Sequence, residues 1–448
     1  MKKKIMYGLL LTGLGINLLI GAQIYFQSVA AAERDDPYQP LKLFSLVLER
    51  VRQDYVDGDK ASYQDLVQAA LKGMLSRLDP HSEFMDTNKF IELKKDTEGK
   101  FGGVGIVISM KDNWVTVVAP MEDTPGFRAG ILSGDRIIRI DGRSAERMST
   151  PDAVTRLRGD PGTKVTVTVL RPSTGVTKDY TLTREIINVP TVKDLNGHRE
   201  FPLDDSKIGY IHLLQFGEQT TPDFEEALHK LKKAGMQSLI LDLRANPGGL
   251  LDTAVQVVEQ FVPRGTLIVT TEGRGSTRKL EYFAKGGEKF TRLPLVVLVN
   301  GGSASASEIV SGALQDLTAK GQCRAIIVGE QTFGKGSVQS ILPLIDGTAL
   351  RLTTAKYYTP SHKVIHEKGI TPDIVVPMTE EEERDVMLKR TPGALETLDE
   401  RERERVQNAR DPQLERAYDL LKGIALYTQR APAPAEEKKP KPDKMAAK

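Results

Sequence analysis

The sequence predicts a multidomain α+β fold, and three shifts of pattern along its 448 residues carry that prediction. Over residues 33–98 apolar side chains recur at helical spacing. Over 99–186 short alternating segments are cut by glycine-rich turns, as in a small β domain. Over 187–378 apolar strands alternate with helices, which marks α/β layering. Charged helices follow over 379–429, and the Ala-, Pro-, Lys- and Glu-rich stretch 430–448 reads as a disordered tail.

Composition narrows the function. Hydrophobic residues make up 40% and charged residues 27%, enough to build sizeable cores. The net charge of +2 gives no bulk case for nucleic-acid binding. A single cysteine, Cys323, excludes an intramolecular disulfide and reads as a structural thiol near a strand start.

The chain opens with a basic tetrapeptide and an apolar run over 5–26, followed by small residues at 28–32. Residues 1–32 read as an export segment, either a cleaved signal peptide or an uncleaved anchor. Both readings place the remainder in the cell envelope, at the periplasmic or extracytoplasmic face, secreted or held to the inner membrane. Helices are expected at 41–56 and 63–78, with a polar helix running through 95. A glycine loop and strand at 102–108 open the β unit. Strands at 114–119, 136–140, 164–170 and 177–184 and a helix at 150–157 complete it. In the third region strands are expected at 208–213, 238–243, 266–271, 293–299, 324–328, 337–343 and 349–358, with helices at 222–234, 251–261 and 309–317. The helices expected at 380–389, 395–409 and 412–427 carry few apolar residues and should pack on another surface, such as a second subunit.

Asn300-Gly-Gly-Ser-Ala-Ser-Ala-Ser-Glu-Ile309 sits where an apolar strand turns into a helix. Free backbone N–H groups and the helix dipole favour negative charge at such a turn. Two readings fit it: an acyl-transfer nucleophile beside an oxyanion site, or a helix cap, since Ser305-Ala-Ser-Glu308 matches the capping box. Gly329-Glu-Gln-Thr-Phe-Gly-Lys-Gly-Ser337 approaches a P-loop, but Gly336 stands where a magnesium-binding hydroxyl is needed and a strand follows instead of a helix. Lys335 between two glycines is either an exposed turn lysine or, if buried near Ser305, a general base. As a base it must be neutral near pH 7, well below its ordinary value near 10.4; desolvation can supply that. Asn246-Pro-Gly-Gly249 is a turn whose N–H groups could form half an oxyanion hole. The six histidines form no metal pattern: His362 and His366 lie in strand-like surroundings, which on a strand would set them roughly 13 Å apart. No metal or other cofactor is expected.

Four separated blocks then coincide. Thr124-Pro-Gly-Phe-Arg-Ala-Gly-Ile131 with Gly134-Asp-Arg-Ile-Ile-Arg-Ile-Asp-Gly142 resembles a bacterial PDZ domain. Asp242-Leu-Arg-Ala-Asn-Pro-Gly-Gly249, Ser303-Ala-Ser-Ala-Ser-Glu-Ile309 and Thr332-Phe-Gly-Lys-Gly-Ser-Val-Gln339 resemble the core of the carboxyl-terminal processing peptidases, or tail-specific proteases. Tyr357-Tyr-Thr-Pro360 and Gly369-Ile-Thr-Pro-Asp-Ile-Val-Val376 are similar to that family as well. The resemblance spans roughly residues 40–378. It implies an N-terminal helical segment, a PDZ-like β domain, an α/β protease core of the ClpP/crotonase-like kind and C-terminal helices. It implies a Ser-Lys dyad: Ser305 as nucleophile, Lys335 as base and Gln339 orienting it. Residues four apart on an extended strand share a face, so Lys335 and Gln339 could point into one site. Ala306 and either Gly248 or Gly249 would form the oxyanion hole.

The resemblance also assigns Phe101, Gly102, Gly103, Val104, Gly105 and Ile106 to capture of a peptide carboxylate, with the 150–157 helix as the other wall. Arg158 matches an arginine that reports PDZ position in related enzymes; a surface cation after a helix is its other reading. Two departures stand out: Gly301-Gly302 replace bulkier residues, and the 317–323 loop is several residues longer than usual. The expected function is an exported serine endopeptidase acting near the C-termini of proteins with flexible tails. Expected partners are those substrates, a second copy bound through the N- and C-terminal helices, and an adaptor protein. The rival is a catalytically silent PDZ scaffold, whose signature would be loss of Ser305 or Lys335.

Overall fold

The computed structural model describes residues 36–430 except 122, 276–278, 287–289 and 392. The segment read as an export signal, and residues 431–448 of the expected tail, lie outside the described residues. Two compact units are separated by the chain trace, Met1–Phe84 and Met85–Lys448.

In the first unit the helices Tyr38–Asp54 and Tyr63–Ser76 pack on each other. Ser62 caps the second by accepting the Asp65 N–H. The Tyr63 hydroxyl donates to Glu49 at 2.7 Å, and Arg52 lies over the Tyr63 ring at 3.7 Å. The first helix buries no residue in this single chain and leaves Leu41, Leu43, Phe44, Leu46 and Val47 exposed.

The second unit begins with the helix Thr87–Glu98 and the expected β unit. Its antiparallel sheet runs, in spatial order, Ile106–Lys111, Trp114–Pro120, Arg136–Ile140, Lys164–Arg171 and Val176–Thr183. Val115, Val117, Ile137, Ile140 and Val167 alternate inward from these strands to form its core. The helix Thr150–Leu157 begins at Ser149, which accepts the Asp152 N–H, and buries Ala153 and Leu157 in the same core. The strand Ile106–Lys111 is at the sheet's edge, with one side unpaired. A short helix, Pro125–Arg128, was not foreseen in the turn-rich connection.

The third region is built on a six-stranded sheet in the order Val192–Lys193, Ile208–Leu213, Ser238–Asp242, Leu295–Val299, Ala325–Gly329, Ile374–Val375. Apart from the first, its strands are parallel. Parallel strands are buried on both faces and read as continuous apolar runs; all five residues of Leu295–Val299 are buried. Leu295, Val297 and Val299 point to one core, with the helices Thr220–Lys233, Leu251–Glu259 and Ala306–Ala319. Val296 and Leu298 point to the other, where the helix Pro412–Arg430 inserts Ala417 and Leu421. The surface on which this helix was expected to pack is thus the chain's own sheet: Leu414, Ala417, Tyr418, Leu421 and Ile424 recur at helical spacing and meet this core, while Leu426 and Tyr427 stay exposed. A second, antiparallel sheet places Ala349–Tyr358 between Leu267–Gly273 and Ser337–Pro343, with Lys279–Phe283, unforeseen, outside Leu267–Gly273.

Charged pairs pin the C-terminal helices down. Arg390, ending the helix Glu380–Arg390, reaches Asp242 at 3.0 Å and Asp411 at 2.5 Å. Arg244 meets the same two carboxylates at 2.6 and 2.9 Å. Burial pushes the Asp242 carboxyl up, but Arg244, His212 and Arg390 outweigh it and hold it well below the usual carboxylate range. Gly393, with φ of 76°, lies against the β unit: its carbonyl accepts the Ser133 hydroxyl at 2.8 Å, and a Cβ there would meet the Val118 carbonyl at 2.9 Å.

Candidate active site

The candidate residues leave the carboxyl ends of neighbouring parallel strands, where open α/β sheets form their sites. Phe216 follows the strand Ile208–Leu213, Asn246–Gly249 follows Ser238–Asp242, Ser303–Ser305 follows Leu295–Val299, and Thr332–Lys335 follows Ala325–Gly329.

Ser305 caps the helix Ala306–Ala319 at φ 53° and ψ −109°, a conformation that L residues rarely hold. Such backbone costs about 1–3 kcal/mol and persists only where its surroundings impose it. Here two asparagines impose it. The fully buried Asn246 accepts the Ala304 N–H (3.0 Å) and the Ser307 hydroxyl (2.9 Å) on its carbonyl and donates its amide to Leu213 O (2.7 Å). The Asn300 side-chain oxygen accepts the Ala245 N–H (2.8 Å) and the Gly302 N–H (3.1 Å), while its amide donates to Glu383 at 3.0 Å. Gly302 is required: a Cβ would stand 2.9 Å from Ala245 Cα.

The three serines now separate. Ser303 Oγ donates to Leu243 O at 2.8 Å and Ser307 Oγ to Asn246 O, so both are structural. The Ser305 hydroxyl lies beside Tyr357, whose own hydroxyl burial pushes up to about 12 although Ser305 acts to lower it. Glu308 supplies the carboxylate of the predicted capping box, taking the Ser305 N–H at 2.8 Å. The helix-cap reading and the nucleophile position are thus compatible.

Lys335 is half-buried in the neighbouring loop. Burial lowers its pKa first, and Arg351 lowers it further, while Glu308 opposes both. The flanking glycines admit other backbone: a Cβ on Gly336 would lie 2.1 Å from His366 N, and Glu367 N–H donates to Gly334 O at 2.8 Å. The segment lacks the helix N-terminus that a phosphate loop needs.

Gln339 is arranged differently from expectation. The strand begins at Ser337, so Lys335 lies in the loop before it and strand alternation does not link Lys335 to Gln339; the extra residue of the bulge, Thr354, belongs to the facing strand. The Gln339 amide donates to Ser337 Oγ at 2.9 Å and Thr353 Oγ1 at 3.4 Å.

At the Asn246–Gly249 turn, Gly248 touches Ser305: a Cβ there would lie 2.8 Å from Ser305 Cβ and 2.9 Å from Ala306 N. Its N–H, however, donates to Asn246 Oδ1 at 2.9 Å. Gly249 is fixed between bonds from Phe216 N to Gly248 O (3.0 Å) and from Leu250 N to Phe216 O (2.7 Å). The N–H groups of Gly249 and Ala306 have no acceptor among the described residues.

A cavity of about 450 Å³ runs from Gly248 and Gly249 to Phe101, Arg158 and Lys95. The Arg158 guanidinium lies 4.2 Å over the Phe101 ring. Phe101, Gly102 and Gly103 belong to a strand, Lys100–Gly103, paired with Glu185–Asn188, so the predicted carboxylate loop contracts to Val104 and Gly105 before Ile106 opens the edge strand.

His362 and His366 lie in the loop after Ala349–Tyr358, not on a strand; His362 stacks on Tyr358 and meets Glu272 at 3.0 Å. Among the described residues no cluster of His, Cys, Asp or Glu could hold a metal. Burial pushes the Cys323 thiol up, and its Sγ lies 3.1 Å from Thr318 Oγ1. The reading from sequence gave no role to Asn246, Asn300, Thr332 or Tyr357, although each stands in a motif it quoted, and saw Glu308 only as a cap.

A serine-type peptidase with a PDZ domain is the class this fold and site define. The model described as Peptidase family S41 matches residues 207–376, and that of a PDZ domain matches 116–171. A carboxy-terminal-processing protease of Bartonella bacilliformis is 41% identical over 436 residues, 94% of this chain and 97% of that protein. A carboxyl-terminal-processing protease of Synechocystis is 37% identical, over 81% and 86%. Among solved structures, a photosystem II D1 C-terminal processing protease is 29% identical over 79% of this chain and 97% of that one, with a TM-score of 0.43. The chain belongs to the carboxy-terminal processing proteases of peptidase family S41.

Proposed function

We propose that this chain is an exported endopeptidase that cuts proteins near their C-termini through a Ser305–Lys335 dyad. The observation that carries this is the strained Ser305 turn, in direct contact with Gly248 and joined through one carboxylate to the loop of a half-buried lysine. Lys335 Nζ takes the Ser305 proton as Oγ adds to the scissile carbonyl. The oxyanion is held by the N–H groups of Ala306 and Gly249. Lys335 returns the proton to the departing amine, and water then cleaves the acyl-serine by the same base. Gly249 is preferred to Gly248 because the Gly248 N–H is already engaged. In this resting arrangement Gln339 serves Ser337 and Thr353; orienting Lys335 would require its amide to turn.

The tail of the substrate adds to the open edge Ile106–Lys111, its carboxylate near Val104 and Gly105, with Thr150–Leu157 as the facing wall. Arg158, sharing a cavity with the oxyanion turn, couples tail binding to that turn. Export rests on residues 1–32 and places the enzyme in the cell envelope; among the described residues no helix is long and apolar enough to cross a membrane. The exposed apolar face of Tyr38–Asp54 is a surface for a second copy or an adaptor.

The test is turnover of an unfolded protein with an apolar C-terminus by residues 33–448, beside Ser305→Ala and Lys335→Ala. Both variants should be folded and inactive. Tail binding without turnover by the parent would favour the scaffold reading, and a fully active Lys335→Ala would remove the assigned base.

A further inference from the structure

We infer that Glu308 is a positioning residue of the reaction, its carboxylate fixing the nucleophile and the base to a single point. The inference rests on the Ser305–Lys335 reading. Glu308 is fully buried in the first turn of the nucleophile helix. Its Oε2 accepts the Ser305 N–H at 2.8 Å and the Lys335 N–H at 2.9 Å. Its Oε1 accepts the Gly334 N–H at 2.7 Å and the Thr332 hydroxyl at 2.6 Å. A helix cap needs one such bond. Three of these four come from the loop that carries the base, on a different strand.

A carboxylate accepts about four hydrogen bonds, and those to a charged group are the stronger kind. Glu308 therefore has its full complement, and none of the four donors can shift without leaving a buried charge short of a partner. Thr332 extends the brace, because its hydroxyl also accepts the Ile370 N–H at 2.7 Å. Acyl transfer depends on such placement, since a displacement of about 1 Å can cost on the order of 10²-fold in rate.

A glutamine at 308 keeps the size but only one acceptor oxygen. That oxygen serves best between Ser305 and Lys335, with the amide turned to Thr332 Oγ1 and the Gly334 N–H left unpaired. The charge is also lost. Lys335 faces Arg351 from the strand Ala349–Tyr358 and Glu308 from the helix, with His366 backbone against the adjoining Gly336. Glu308 raises the lysine's pKa, so its neutralisation must lower it and move the acid limb of the rate profile to lower pH.

The experiment measures how fast a fluorophosphonate probe labels Ser305 across pH, and the affinity for a C-terminal peptide, in the parent, Glu308→Gln, Thr332→Val and Thr332→Ser. Glu308→Gln should label about 10- to 100-fold more slowly on the plateau, with its acid limb at lower pH and peptide affinity within about twofold. Thr332→Val should fall between, and Thr332→Ser should match the parent. Parent-like labelling by Glu308→Gln and Thr332→Val would overturn the inference, as would a loss that tracks unfolding with no movement of the limb. If Glu308→Gln does not fold, the Thr332 pair decides: equal rates for Val and Ser refute the brace. Failure of the dyad reading would look different, with no labelling of the parent or undiminished labelling of Ser305→Ala.

Discussion

Gly248→Ala isolates the contact between the proposed oxyanion turn and Ser305. The new Cβ would lie 2.7 Å from Ala304 O, 2.8 Å from Ser305 Cβ and 2.9 Å from Ala306 N. An ordinary contact begins near 3.4 Å, so the Ser305 turn must retreat by about 0.6 Å. With about 1 Å worth on the order of 10²-fold, that retreat predicts a loss of roughly 10- to 30-fold in kcat. The residue also sits at φ +101°, where alanine costs about 1–2 kcal/mol of stability. Gly265→Ala separates the two effects, because Gly265 has φ +81° and nothing within 4 Å of its Cβ. Both variants should melt a few degrees lower, at about 2–4 °C per kcal/mol for a domain of this size. Only Gly248→Ala should lose activity, measured as kcat and KM on an unfolded substrate at a temperature where both are folded. Equal losses in the two variants, or more than half the parent's kcat in Gly248→Ala, would refute the placement of this turn against Ser305.

Arg351→Met should raise the Lys335 pKa by removing a cation that lowers it; with neutral lysine as the active form of the proposed dyad, the acid limb moves to higher pH. Lys335 is half-exposed, so screening keeps the loss in kcat/KM at pH 7 to a factor on the order of 3, with the alkaline plateau retained; a pH–rate profile reads both. Arg390→Met should destabilise the protein toward the low end of roughly 3–5 kcal/mol, since Arg244 still partners Asp242 and Asp411; denaturant unfolding measures it. Asp242 has a folded pKa held below its unfolded value, so its contribution is present above about pH 4 and lost as the pH falls through the folded value. An acid-unfolding midpoint that shifts upward in Arg390→Met would report this coupling.

The layering was legible because parallel strands buried on both faces leave unbroken apolar runs, and Leu295–Val299 is one. The helix Thr150–Leu157 and the strand Ala349–Tyr358 matched their expected limits, each bounded by strong turn chemistry. The candidate nucleophile and base were legible as short motifs. What joins them was not: Glu308 satisfies the local pattern of a cap, and nothing local reveals that its other donors arrive from residues 332–335. The Lys335–Gln339 alternation presumed one strand through both residues, whereas the strand starts only at Ser337. That the last C-terminal helix packs on a surface was legible, but not which one: its apolar stripe through Ala417 and Leu421 meets the chain's own sheet, a contact that no local pattern names.

The helix Glu380–Arg390 and the turn at Gly393 lie beyond residue 376, where the match to the S41 model ends. Yet Glu383 holds Asn300 at the root of the nucleophile turn, and ten residues later Gly393 rests on the PDZ sheet. The segment beyond the S41 match is therefore a tie-rod between the PDZ domain and the Ser305 turn. A protein trimmed to residues 207–376 would uncover Val296 and Leu298 and sever that linkage at once.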